Sequence, residues 1–260
     1  MALDTPRLRA EFQALGLRRG AVVMVHSSLS AFGQVEGGAR AVLDALLGCV
    51  GDSGTVAVPT FTPQVADPAP YARDPFDPEV ERARRAVPDF HDALPTPMGA
   101  LPNAVLAHPG RLRGGHPQAS VAAIGPHARA LTEGRPLAYA LGAGSAFARL
   151  YELGAHILLL GVGHNRNSFL HYAESLVPHH RRKLRRFPYP IGGRRVWVEV
   201  PDVGDDNGTF FPRLGAEARA AGLVRTRTIG AAPCALMESV PFTDHAAGRL
   251  AELLAQRRAA

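Results

Sequence analysis

The sequence predicts an α/β fold, a single domain with a central mixed sheet flanked by helices. Three observations predict it. Residues 21–25 form a short, almost wholly apolar run, the pattern of a strand buried on both faces. Residues 37–50 then carry Val42, Leu43, Leu46 and Leu47 at helical core spacing, and 55–59 make a second apolar run. Strand, helix and strand within so short a stretch make a βαβ unit. No repeat recurs at a fixed period and no Ser/Gly-rich linker divides the 260 residues, so one domain over 1–260 is expected.

Each element follows in order. A helix begins near Thr5, with Leu8, Phe12 and Leu15 on one face and Gly16 as its stop. The βαβ unit comes next. Nine of the 22 prolines fall within 62–103, so that stretch is read as a long loop rather than a helix. A helix or turn starts at 103–108, and 120–124 reads as a strand. Residues 150–153 end a helix before 155–163, the most strand-like segment of the chain. A helix over 167–176 takes Asn167 or Ser168 as its N-cap. Residues 194–200 alternate like a strand behind the turn Ile191-Gly192-Gly193, and 214–221 and 245–257 are the last helices.

Composition limits the function classes. The chain is 46% hydrophobic and 20% charged, which excludes a disordered or fibrous protein. Cys49 and Cys234 have neither metal spacing nor a disulfide framework, which points to a reducing, cytoplasmic setting. The opening residues carry acids and lack an apolar h-region, so no signal peptide is expected. No apolar run approaches the ~20 residues of a membrane helix. There is no H-E-x-x-H, C-x-x-C, G-x-S-x-G, Walker A or G-x-G-x-x-G string, and no metal is expected.

The charge is unusual. Twenty-nine Lys+Arg against 23 Asp+Glu give +6 and an isoelectric point near 10.0. Seven of the basic residues lie between 181 and 195 with no acid among them; without these, 22 face 23. The excess is local. It suits a solvated hairpin or a phosphate-bearing ligand better than the broad footprint of a nucleic-acid binder.

Two segments could carry chemistry. After the first strand, His26-Ser27-Ser28-Leu29 leads to Gln34-Val35-Glu36-Gly37-Gly38-Ala39, where paired glycines at a helix start let backbone N–H groups approach an anion. The alternative there is an ordinary βα turn. At the end of the strand 155–163, Gly161-Val162-Gly163-His164-Asn165 leads into a helix on which His171 and Glu174, three apart, share a face. The alternative here is a solvated surface pair.

Five strings in order resemble the aminoglycoside 3-N-acetyltransferases of the antibiotic N-acetyltransferase group. They are Val25-His26-Ser27-Ser28-Leu29 with Val35-Glu36-Gly37-Gly38-Ala39, Gly54-Thr55 with Pro59-Thr60-Phe61, His116-Pro117-Gln118-Ala119-Ser120, Tyr139-Ala140-Leu141-Gly142-Ala143-Gly144-Ser145, and Leu158-Leu159-Leu160-Gly161-Val162-Gly163 with Leu170-His171-Tyr172-Ala173-Glu174. The resemblance implies the family's own α/β architecture rather than the small N-acetyltransferase (GNAT) fold, whose loose pyrophosphate signature Gln34–Ala39 also happens to fit. It implies acetyl transfer from acetyl-CoA to the 3-amino group of the deoxystreptamine ring of an aminoglycoside, with antibiotic resistance as the result.

Residue by residue, the resemblance puts the catalytic histidine at His171 and the catalytic carboxylate at Asp202, with Asp205 second. His26 and Glu174 become supporting members of the site. Coenzyme A is expected along Ser27, Ser28, Leu29, Val35, Gly37, Gly38, His116 and Ser120. The cationic substrate is expected at Asp67, Asp92, Asn165 and Asp205, the first two from the acidic, Pro-rich loop at 62–103. The implied chemistry has Asp202 and His171 acting as base and orienter for the attacking amine, with Ser27 and Ser28 donating to the oxyanion. The expected partner is a small molecule, with no membrane and no nucleic acid, and the protein a monomer or homodimer. The alternatives are another acceptor amine or, less favoured, a nucleic-acid binder using 181–195.

Overall fold

The computed structural model describes residues 3–74, 76–204 and 208–259. α1 (Thr5–Leu15) is capped by Asp4, whose carboxylate accepts from the Arg7 N–H at 2.9 Å, and it ends at Gly16 as expected. The βαβ unit is β1 (Val22–Ser27), α2 (Gly38–Val50) and β2 (Thr55–Pro59), with β1 and β2 parallel. The Pro-rich stretch holds a short 3₁₀ turn at Pro63–Val65 and α3 (Pro78–Arg85). α4 (Ala100–Leu106), β3 (Arg111–Arg113), β4 (Val121–Ile124), α5 (Ala128–Thr132), α6 (Ala146–Glu152), β5 (His156–Leu160) and α7 (Phe169–Ser175) follow. Then come β6 (Arg182–Ile191), β7 (Arg194–Val203), α8 (Phe211–Ala220), β8 (Arg225–Ile229), β9 (Ala232–Glu238) and α9 (Ser239–Ala259).

Seven strands form one mixed sheet in the order β3-β4-β2-β1-β5-β9-β8. The three central strands run parallel and are nearly continuous in apolar residues, because helices cover both faces. The outer strands pair antiparallel. Alternation along β1 divides the core. Val23 and Val25 pack with Phe12 and Leu46 under α1 and α2, whereas Met24 packs with Phe169 and Leu170 under α7.

The basic run is itself a strand. β6 pairs with β7 along ten residues through the turn Gly192-Gly193, whose φ angles of 56° and 75° suit a type I′ hairpin that only glycines adopt easily. Adjacent Lys and Arg pairs at 182–183 and 185–186, an exposed Leu184, and Pro188 and Pro190 hide the strand signal in 182–191. β8 and β9 carry equally little signal. β8 is an exposed edge of Arg225, Thr226, Arg227 and Thr228, and β9 contains Pro233. The last helix begins at Ser239 rather than 245, with Pro241 in its first turn where a missing N–H costs nothing.

The Pro-rich stretch is ordered by caps and ion pairs rather than by helix. Arg113 reaches from β3 and donates to the carbonyls of Leu94 (2.6 Å), Asp92 (3.0 Å) and Thr60 (3.0 Å). Asp67 donates its N–H to Arg186 O on β6 (2.9 Å), and its carboxylate lies between Arg84 of α3 (2.9 Å) and Arg186 (3.4 Å). Trp197 on β7 sits under the guanidinium groups of both Arg84 and Arg195, 6.0 and 5.5 Å from its ring. The hairpin and the Pro-rich stretch therefore form one wall, standing beside the carboxyl ends of the central strands. Burial pushes the Asp67 carboxyl up, but the hydrogen bonds and charge of Arg84 outweigh it and hold the group below the usual carboxylate range. Its contribution to stability is present above the unfolded carboxylate pKa and lost as pH falls through the lower folded value. Among the described residues, no helix is long and apolar enough to cross a membrane.

Candidate active site

Two cavities open at the carboxyl ends of β1, β2 and β5, the edge where open α/β sheets bind ligands. The first, about 480 Å³, is lined by His171, Leu141, Gln118, Lys183, Arg185 and Asp67, among others. The second, about 500 Å³, runs past His26, Ser27, Ser28, Leu29 and Gly99. Met98, Arg166 and Ser168 line both, so these are two lobes of one cleft. Gly161, just after β5, lets the β5 and β1 turns pack together: its φ is +66°, and a Cβ there would lie 2.5 Å from Ala31 Cβ. Any side chain would push the β5 turn away from the β1 turn.

α7 carries His171 to the cleft. Asn167 Oδ1 accepts from the Phe169 N–H (3.2 Å), while Ser168 stands at the N-cap without a side-chain cap bond, so Asn167 is the residue that closes this end. The His171 ring meets Phe211 of α8 edge-on at 4.9 Å. Glu174, three residues on, is fully buried and turns to Arg181, which donates to it at 2.7 and 2.8 Å. These contacts tie α7 to the base of the hairpin.

Asp202 is likewise fully buried. One oxygen accepts from the Val203 N–H (2.8 Å) and the Leu141 N–H (3.4 Å), and the other is ion-paired to Arg185. This spends the carboxylate on structure: it anchors Arg185, which also donates to Gln118 Oε1 (3.3 Å), and it pins the turn 139–142. Tyr139 in that turn has φ +52°, a left-handed conformation costly for tyrosine, held by its N–H to Pro201 O (2.8 Å) and its ring against His180. Asp205, the second choice for the carboxylate, lies outside the described residues.

The remaining predicted residues divide. Ser27, Ser28 and Leu29 line the second lobe, with Ser28 Oγ 3.1 Å from Ser30 Oγ. Gly37 and Gly38 open α2 in left-handed conformations (φ 74° and 58°), and Val35 bridges to Leu3, but none of the three lines either lobe. His116 accepts from the N–H groups of Gln118 (3.1 Å) and Ala119 (2.9 Å) and lies 3.0 Å from Leu137 O, so it braces the wall behind Gln118. Ser120 is buried in a network with Thr60 and Arg113. Asn165 is exposed beside the cleft and lines neither lobe. Asp67 is committed to Arg84 and Arg186, and Asp92 is ion-paired with Arg111.

Arg166 escaped the sequence reading. It lies between the two strings that were read, and it lines both lobes with an exposed side chain. The basic run is largely used inside the fold, with Arg181, Arg185, Arg186 and Arg195 paired to Glu174, Asp202, Asp67 and Asp89.

Three imidazoles are held neutral, in each case chiefly by burial. His26 is pushed down to about 3, helped by the charges of His171 and His164, and His116 and His164 are pushed to about 4. Below about pH 6.5 the unfolded chain takes up protons that these groups refuse in the fold. Stability is therefore full above that pH and falls as pH drops toward 4. Thermal melts should show a melting temperature several degrees lower at pH 5 than at pH 7.5; a flat profile would contradict the burial of these rings.

The comparisons with known proteins fit this geometry. The family profile described as aminoglycoside 3-N-acetyltransferase matches residues 24–251. The chain belongs to the aminoglycoside 3-N-acetyltransferase family. It is 34% identical to aminoglycoside N(3)-acetyltransferase VII of Streptomyces paromomycinus, across 97% of this chain and 93% of that one. Among solved structures of the family it resembles AAC-IIIb, described as a binary complex with CoASH (TM-score 0.85, 29% identity, 97% of each chain). It also resembles AAC-VIa bound to sisomicin (TM-score 0.83, 27% identity, 96% of this chain and 98% of that one). The fold is thus that of this family.

Proposed function

We propose that this protein transfers an acetyl group from acetyl-CoA to the 3-amino group of a deoxystreptamine aminoglycoside. The observation that carries the reading is the two-lobed cleft, with His171 in one lobe and the β1 turn Ser27-Ser28-Leu29 in the other, in a chain whose family relatives include a CoASH complex and a sisomicin complex. The β1-turn lobe suits the pantetheine arm of coenzyme A, being lined by Ser27, Ser28, Ser30 and Gly99. The His171 lobe takes the acceptor.

Bound acetyl-CoA supplies an acyl group activated as a thioester. The chain's own residues handle the proton. Aminoglycoside amines are mostly protonated at neutral pH and must be neutral to attack, so a base has to stand in the acceptor lobe. His171 fills that role. The imidazole takes the ammonium proton, the neutral nitrogen then bonds to the acetyl carbon, and the carbon–sulfur bond breaks with the sulfur keeping the electron pair and accepting the amine's second proton. Asp202, committed to Arg185, serves by holding that arginine and the 139–142 turn; the carboxylate that orients His171 is then sought at Asp205. Substitution separates the two: Asp205→Asn lowers kcat with stability kept, whereas Asp202→Asn lowers stability first. Equal losses of kcat at unchanged stability would return Asp202 to the role of base.

One observation favours a second reading within the same enzyme class, an acceptor amine less cationic than an aminoglycoside. Among the described residues, the His171 lobe is lined by Arg166, Lys183, Arg185 and Arg186, and its carboxylate Asp67 is already held by two arginines. An acceptor panel with acetyl-CoA, read by thiol release and by the mass gain of one acetyl group, tests both. Turnover of aminoglycosides supports the first reading, and turnover of simple or anionic amines alone supports the second.

A further inference from the structure

His26 presents a buried nitrogen that the fold leaves unused. Its Nε2 is shielded from solvent and meets no hydrogen-bond partner among the described residues. Native folds keep few such orphans, and each calls for an explanation. This one lines the cleft: His26 is 4% exposed and belongs to the lobe formed with Ser27, Ser28 and Leu29. Alternation along β1 sets its direction. Two residues after Met24, it lies on the face of the sheet that α7 covers, the side that carries His171. The charges of His171 and His164 are felt at its ring, so the three imidazoles are neighbours.

We propose that His26 is a catalytic residue whose Nε2–H donates a hydrogen bond to the acetyl carbonyl oxygen, holding the negative charge that gathers there as the amine attacks. The assignment rests on the reading of this cleft as the acetyl-transfer site. His26 stands beside the Ser27 and Ser28 hydroxyls, of which Ser28 Oγ lies 3.1 Å from Ser30 Oγ. A donor at this spot is most useful if it stays neutral. An imidazolium would repel a cationic acceptor and compete with His171 as the site where the proton ends. Burial keeps His26 neutral far below physiological pH, so the two histidines have separate tasks: one donates a hydrogen bond throughout, and the other takes the proton.

The test uses His26→Phe, which keeps bulk without a donor, and His26→Asn, which keeps a donor. Infrared spectroscopy of 13C-labelled acetyl-CoA bound to the wild-type protein should show the carbonyl band at lower wavenumber than in free acetyl-CoA, and the Phe variant should return it to the free position. Turnover in the Phe variant should fall by about 10²–10³-fold, as for other lost oxyanion donors. Affinity for CoA, which has no carbonyl at that place, should stay within about threefold, and the Asn variant should recover part of the turnover. A wild-type band unshifted from that of free acetyl-CoA overturns the proposal even if the Phe variant fails to fold. So does a folded Phe variant with unchanged turnover. Failure of the wild-type protein to bind acetyl-CoA overturns the acetyl-transfer reading itself, whereas binding with an unshifted band overturns only the role of His26.

Discussion

Replacing His171 with glutamine or alanine lowers kcat for acetyl transfer by about 10²–10⁴-fold, the usual worth of a positioned general base. The glutamine variant keeps most of the ring's bulk against Phe211, so its melting temperature stays close to that of the wild type. Because the base acts after the acceptor has bound, kcat falls far more than KM rises. A pH–rate profile adds an independent reading, since removing the base changes its shape. Wild-type turnover by a folded His171→Ala protein would remove His171 from the reaction.

The second large effect is on stability. Asp202→Ala leaves the Arg185 guanidinium in a mostly buried wall without its counter-ion, and it deprives the Leu141 and Val203 N–H groups of their acceptor. Breaking a buried ion pair by removing one partner costs about 3–5 kcal/mol. For a chain of this size that is a drop in melting temperature on the order of 6–20 °C. The double variant Asp202→Leu with Arg185→Met removes both charges and should recover much of the loss. Thermal melts of the two singles and the double measure the coupling directly. A double variant that loses the sum of the two singles would mean that Asp202 and Arg185 do not act as a pair.

The central fold could be read from the sequence because hydrophobic pattern and structure coincide there. Residues 21–25 and 55–59 are apolar throughout, and the strands they form are buried on both faces. The Leu8, Phe12 and Leu15 stripe of α1 is fixed by the same core. The outer parts escaped for the opposite reason. In β6 the basic residues stand in adjacent pairs and several are used in ion pairs, so the apolar packing rests on Phe187 and gives no alternating pattern, and β8 is an exposed edge with no apolar face.

The site shows the same division. The strings at the ends of β1 and β5 place His26, Ser27, Ser28, Leu29 and His171 in one cleft, because a strand end fixes where its next residues go. The acids could not be assigned this way. Asp67, Asp92, Glu174 and Asp202 read as free carboxylates in a sequence, and each is neutralised by an arginine from a distant segment or a neighbouring turn. Charge pairing across long separations leaves no local signature. Arg166 was overlooked because it stands between two recognisable strings and belongs to neither.

Where coenzyme A lies decides how this cleft works, and a crystal structure of the protein with CoA measures that most directly. The expected result has the pantetheine arm running past Ser27, Ser28, Leu29 and Gly99, with its sulfur at the junction lined by Met98, Arg166 and Ser168, within reach of His26 and His171. Coenzyme A in the separate cavity between α8 and β8–β9, lined by His164, Arg219 and Cys234, would contradict it.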